Sequence, residues 1–95
     1  MPYLISDDLP RTSAGQRFRD ALGRPGIYQL PGAHNGQAAI QAKQAGFDGL
    51  YLSGAAMTAS MGLPDLGIIT VDEVAFFIRQ IVRATGLPLL VDGDT

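Results

Sequence analysis

Three short apolar runs constrain this chain more than any other feature. Residues 27–30, 47–52 and 87–91 are bulky and strand-like, and each ends in small, polar or acidic residues: Pro31-Gly32, Ser53-Gly54 and Asp92-Gly93-Asp94. Stretches of helical period separate them. Strands joined by helices pair in parallel through right-handed crossovers. The last run is apolar throughout, as expected where both faces of a sheet are covered. Two architectures satisfy this order, a (β/α)8 barrel and an open doubly wound sheet, and periodicity alone does not choose between them.

The intervening helices carry their own signals. Ser13 and Gln16 fit a capping box ahead of a helix over residues 14–22, with Phe18 and Leu22 four apart on one face and Gly23 as its stop. Asn35 caps a second helix, residues 36–45, whose Ala38, Ala42 and Ala45 form a small face suited to close packing. Residues 55–61 are weakly helical, and residues 62–67 form a Gly/Pro loop. Thr70 and Glu73 form another capping box. Val74, Phe77, Ile78, Ile81 and Val82 follow at helical spacing until Gly86 and Pro88 close the helix. Residues 1–12 show no period and are expected to form an arm. Residues 13–95 are expected to be the N-terminal part of one larger domain.

Composition removes several classes of function. Seven Lys and Arg stand against nine Asp and Glu, a formal net charge of −2, and the cations are scattered. Neither nucleic acid nor a membrane surface is an expected partner. No apolar run reaches the ~20 residues needed to cross a bilayer, and residues 1–10 lack a signal peptide's basic start and apolar core. The expected setting is soluble and cytoplasmic. Without cysteine there is no disulfide, thiolate ligand or thiol nucleophile within these residues.

In both architectures, ligands gather at the C-terminal ends of parallel strands. Asp92 and Asp94 stand two apart after the third run, so both point to one side if the strand persists. Their mutual repulsion is relieved by a hard divalent cation such as Mg2+, which takes oxygen ligands and often only one or two carboxylates. A polar turn or a helix cap is the alternative. Ser53 and Gly54 could bind an anionic substrate through hydroxyl and backbone N–H donors, or simply begin a helix. Asp65 is either an Asx turn or a carboxylate supporting a metal-bound water. His34, the single histidine, is the remaining titrating candidate, with a structural role as the alternative. Met57 and Met61, one helical turn apart, suit core filling or a subunit contact.

Several ordered segments resemble the methylisocitrate lyase family, within the isocitrate lyase and phosphoenolpyruvate mutase superfamily. They are residues 16–22 (QRFRDAL), 31–35 (PGAHN), 42–47 (AKQAGF), 51–55 (YLSGA), 62–67 (GLPDLG) and 89–95 (LLVDGDT). The resemblance implies that the domain is a (β/α)8 barrel, an architecture of roughly 250 residues, of which this chain supplies about the first three strands, usually in homotetramers with an exchanged helix. It implies Mg2+-dependent cleavage of 2-methylisocitrate, a small tricarboxylate, to pyruvate and succinate in propionate catabolism. Carried over, Ser53, Gly54 and Ala55 contact the substrate's carboxylate end, Asp92 and Asp94 hold Mg2+, and Asp65 supports that shell. Position 55 is often Gly in relatives, so Ala55 narrows the pocket.

Cleavage beside a 2-hydroxy acid leaves an enolate whose charge Mg2+ stabilises, and the step needs a base and an acid. In the family the acid is a cysteine on a later loop, expected beyond Thr95, so these 95 residues alone are expected to be inactive. Sister activities share the metal acids: oxaloacetate decarboxylation or hydrolysis, and phosphonate chemistry. A non-catalytic dicarboxylate-binding domain is the alternative of another class.

Overall fold

The computed structural model describes residues 12–93. The expected arm at residues 1–12 therefore lies outside the described residues except for Thr12, and so does Asp94. The elements, in order, are α1 (Ala14–Leu22), α2 (Gly36–Gln44), β1 (Leu50–Leu52), α3 (Gly54–Ser60), α4 (Val71–Thr85) and β2 (Leu89–Val91). β1 and β2 pair in parallel, with Leu50, Tyr51 and Leu52 opposite Leu89, Leu90 and Val91. A single parallel bridge on the other side of β1 joins Gly32 to Tyr51. β1 is thus the middle of a three-part parallel arrangement.

The first apolar run is displaced from its expected place. Residues 27–30 form no strand, and Ile27 is 91% exposed. Pairing begins later, where the Tyr51 N–H donates to Pro31 O and the Ala33 N–H donates to Tyr51 O, both at 2.9 Å. The reason lies at Gly49, which stands opposite Leu30 if that register is continued. The Tyr28 side chain covers Gly49 there, and the Tyr28 hydroxyl donates to Asp48 O at 3.0 Å. The run is used as a lid over the start of β1, not as a ladder.

Helix ends follow the capping chemistry. The Ser13 and Asn35 side chains accept from the Gln16 and Ala38 N–H groups. The expected Ser13–Gln16 box does not close, because the Gln16 amide donates to the Asp20 carboxylate at 2.8 Å and accepts from the Arg19 guanidinium at 3.0 Å. At Thr70 the box closes in both directions, and Gly86 ends α4 in the left-handed conformation at φ 66°. Two expectations about helix faces do not hold. Leu22 is 60% exposed and Ala21 is the buried residue of α1, while Ala45 is the exposed cap of α2.

The core joins Ala33, Ala39, Leu50, Leu52, Met57, Phe77, Ile81 and Leu87. The small face of α2 lies on α4. A Cβ on Gly36 would already be 3.4 Å from the Ala84 Cβ. Met57 fills the core, as one of its two readings had it, whereas Met61 is exposed. Leu90 is 45% exposed, so the described residues do not cover both faces of β2.

The α4 terminus draws two cations to its orphan carbonyls. The Lys43 ammonium donates to Thr85 O at 3.0 Å, and the Arg17 guanidinium donates to Gly86 O. Positive groups here satisfy carbonyls that have no helical partner and meet the negative helix end.

Candidate functional site

β1 and β2 both point their C-terminal ends toward Ser53 and Asp92, so those residues meet. Past Leu52 the chain turns directly into α3. Ser53 is extended, with φ −78° and ψ 134°, and its Oγ accepts from the Ala56 N–H at 3.2 Å. Past Val91, the Asp92 N–H donates to Leu52 O at 3.0 Å. The Asp92 carboxylate then accepts from the Gly54 N–H at 3.2 Å. Residues 38 apart in sequence are tied side by side at the end of the sheet.

Donor use at the start of α3 separates the three carried-over residues. The Gly54 N–H is given to Asp92 and the Ala56 N–H to Ser53. The exposed Ala55 carries the N–H between them, and the Ser53 hydroxyl proton can still be donated while its oxygen caps the helix. Gly54 is buried and Ser53 half-buried. The Ser53 oxygen is occupied as a cap, and among the described residues its hydroxyl proton is hydrogen-bonded to no base, so the arrangement supports binding and not nucleophilic attack.

The remaining candidates lie differently. Asp65 is exposed in the segment between α3 and α4. His34 is half-buried just past the bridge at Gly32. Among the described residues no three His, Cys, Asp or Glu side chains converge on one point. The donors that do stand here are oxygens, led by one carboxylate with a fixed partner. That sparse oxygen set fits a hard cation such as Mg2+, which takes oxygen ligands and keeps several waters.

The opposite end of the sheet has another character. A cleft of about 510 Å³ there is lined by Arg24, Tyr28, Phe47 and Asp48 among others. Its charges are matched: Arg24 pairs with Asp48 at 3.0 Å and lies 5.9 Å from the Tyr28 ring centroid. Burial, and secondarily the Asp48 charge, raise the Tyr28 hydroxyl above its ordinary pKa, against the lowering influence of Arg24 and Arg17. In parallel α/β folds ligands gather at the C-terminal ends of the strands, so the candidate site lies at the other end of the sheet from this cleft.

Residues 18–95 match the family model described as phosphoenolpyruvate phosphomutase. The chain belongs to the phosphoenolpyruvate mutase family. All 95 residues align at 53% identity with 2-methylisocitrate lyase of Bacillus subtilis (strain 168) and at 50% with that of Halalkalibacterium halodurans, covering 32% of each relative. The chain thus spans about a third of the length of these relatives. Among solved structures it resembles a phosphonopyruvate hydrolase complex with oxalate and Mg++, at a TM-score of 0.80 and 32% identity over 86% of this chain and 29% of that one. Phosphoenolpyruvate phosphomutase of Streptomyces platensis subsp. rosaceus gives 0.77 and 38% over 85% of this chain and 28% of that one. Mutase-family members fold as (β/α)8 barrels, and the parallel β1–β2 pair with its flanking helices is a partial copy of that barrel.

Neither the Gly54–Asp92 bond nor the Tyr28 cover over Gly49 was anticipated from sequence. The first left a faint trace, since both residues follow apolar runs. The second left one only in a glycine placed directly before a strand.

Proposed function

We propose that residues 13–95 form the opening, ligand-holding part of a (β/α)8 carbon–carbon lyase. In this reading the enzyme cleaves 2-methylisocitrate to pyruvate and succinate during propionate catabolism. The observation that carries the proposal is the tie between Asp92 and Gly54, which sets a carboxylate beside Ser53 at the C-terminal ends of the strands. The choice of substrate rests on the identity shared with 2-methylisocitrate lyases along the whole chain.

Each residue has a role in this reading. The Ser53 hydroxyl and the Ala55 N–H donate to a substrate carboxylate, and the methyl of Ala55 narrows the space beside it. The backbone of Gly54 allows the close approach and holds Asp92. Asp92, with Asp94, supplies the oxygens for Mg2+, and Asp65 supports that shell through water. A bound Mg2+ supplies positive charge where the cleaved bond leaves negative charge on oxygen. With no cysteine among the 95 residues, returning a proton to the enolate carbon is assigned to residues outside them, and the 95 residues alone are inactive. A cytoplasmic homotetramer completes the proposal.

The test uses the full-length polypeptide that carries these residues. Pyruvate release from 2-methylisocitrate is measured with and without Mg2+, beside oxaloacetate and phosphonopyruvate as rival substrates. The proposal requires Mg2+-dependent turnover of 2-methylisocitrate, lost on Asp92→Ala. Faster turnover of either rival assigns a sister activity. Tight binding of a dicarboxylate without turnover of any of the three assigns a binding domain.

A further inference from the structure

We infer that the Gly54 N–H is a positioning donor that sets the Asp92 carboxylate for a divalent cation, an inference that rests on Asp92 being a metal ligand. The argument comes from register. The parallel ladder runs from the Leu50 N–H donating to Pro88 O through the Asp92 N–H donating to Leu52 O. Continued one rung, that alternation takes the Gly54 N–H to the main-chain carbonyl of Asp92. The chain turns into α3 at that point, and the Asp92 side chain receives the bond instead.

The aspartate is therefore held twice by one short stretch of β1 and its exit: the backbone through Leu52 O and the carboxylate through Gly54 N. A carboxylate fixed at one oxygen has lost most of its rotational freedom before any cation arrives. Groups that orient a metal ligand in this way commonly change metal affinity when removed. The same bond explains why the residue after Ser53 must bring its backbone close to a side chain 38 positions away.

Gly54 is the first residue of α3, where proline is tolerated, and the extended Ser53 before it is the conformation that precedes proline. Gly54→Pro thus deletes the N–H with the helix start preserved. Replacement of Gly54 by glycolic acid exchanges the N–H for an ester oxygen of nearly the same size. It also weakens the Ser53 carbonyl that accepts the Met57 N–H at 3.1 Å, a loss that falls on the thermal midpoint of the metal-free protein. Both variants are made in the full-length protein, and Mn2+ binding is followed by electron paramagnetic resonance together with the thermal midpoint of the metal-free protein.

The expected result is Mn2+ affinity, measured without substrate, weakened ~10-fold or more in both variants. A glycolic acid variant that binds Mn2+ within about twofold of the parent overturns the positioning role, whatever happens to the thermal midpoint. A parent protein that binds no Mn2+ overturns the metal reading itself, which separates the two failures.

Discussion

Gly49→Ala tests how the first apolar run is used. A Cβ at Gly49 would stand 2.1 Å from the Tyr28 Oη, 2.8 Å from its Cζ and 2.6 Å from the Leu30 Cδ2. The Leu30 methyl is the end of a flexible side chain and can turn aside. The Tyr28 ring cannot do so without losses. Its hydroxyl is bonded to Asp48 O, its face lies near the Arg24 guanidinium, and Phe18 is 5.9 Å away centroid to centroid. Overpacking of this kind costs about 1–3 kcal/mol. Losing the hydroxyl's hydrogen bond adds ~1 kcal/mol. The expected destabilisation is therefore about 2–4 kcal/mol, read as the shift in urea midpoint at unchanged slope for the full-length, ligand-free protein. Tyr28→Ala removes the obstacle, so the double variant should be less destabilised than the sum of the singles by ~1 kcal/mol or more. Additive singles, or a Gly49→Ala cost below about 0.5 kcal/mol, would refute the account of why residues 27–30 leave the ladder.

Three other outcomes are expected. Thr70→Ala opens the capping box in which the Thr70 N–H donates to the Glu73 carboxylate at 2.7 Å while Thr70 Oγ1 accepts the Glu73 N–H at 3.1 Å; circular dichroism during urea unfolding should show a loss of ~1 kcal/mol. Arg17→Ala strips the Gly86 carbonyl of its donor and should cost ~1–2 kcal/mol, with Arg17→Lys recovering part of it, as read by the shift in thermal midpoint. Tyr28 has a raised pKa in the fold, so the stability it contributes is present below its unfolded value near 10.0 and is lost as pH rises through the higher folded value; Tyr28→Phe should flatten the alkaline decline in urea midpoint between pH 9 and 11 (about the unperturbed tyrosine range) relative to the parent.

What was legible in the sequence divides by the range of the interactions involved. The bounds of α1 and the start of α4 depend on contacts within four residues, and their caps stand where Ser13 and Thr70 announced them. The position of Asp92 and Ser53 at strand ends was also legible, because an apolar run that stops at polar residues marks where a parallel strand leaves the sheet. Residues 27–30 misled because a bulky run reads the same whether it pairs with a neighbour or folds over one. Its fate is decided by Gly49, about twenty residues on. Leu22 misled for a related reason: the inward face of α1 is set by Arg17 reaching Gly86 across 69 positions, and that turns Ala21 inward and leaves Leu22 out.

The two ends of the sheet are built to different purposes, and their bonding shows it. At the N-terminal end, polar groups are spent on one another: Arg24 with Asp48, Tyr28 with Asp48 O, Lys43 with Thr85 O and Arg17 with Gly86 O. Each of these ties a helix or loop to the entrance of a strand. At the C-terminal end, the ties run between the strand exits themselves: the Asp92 N–H to Leu52 O and the Gly54 N–H to the Asp92 carboxylate. Such a division follows from parallel pairing, in which every strand exit meets on one side and every helix return on the other. It has a consequence for mutation: changes at Gly49 or Arg17 should alter stability with the Mn2+ affinity of the folded protein preserved, whereas changes at Gly54 should do the reverse. Among the described residues the paired strands β1 and β2 both run from one group to the other, so coupling between the two, if measured, has residues 50–52 and 89–91 as its direct routes.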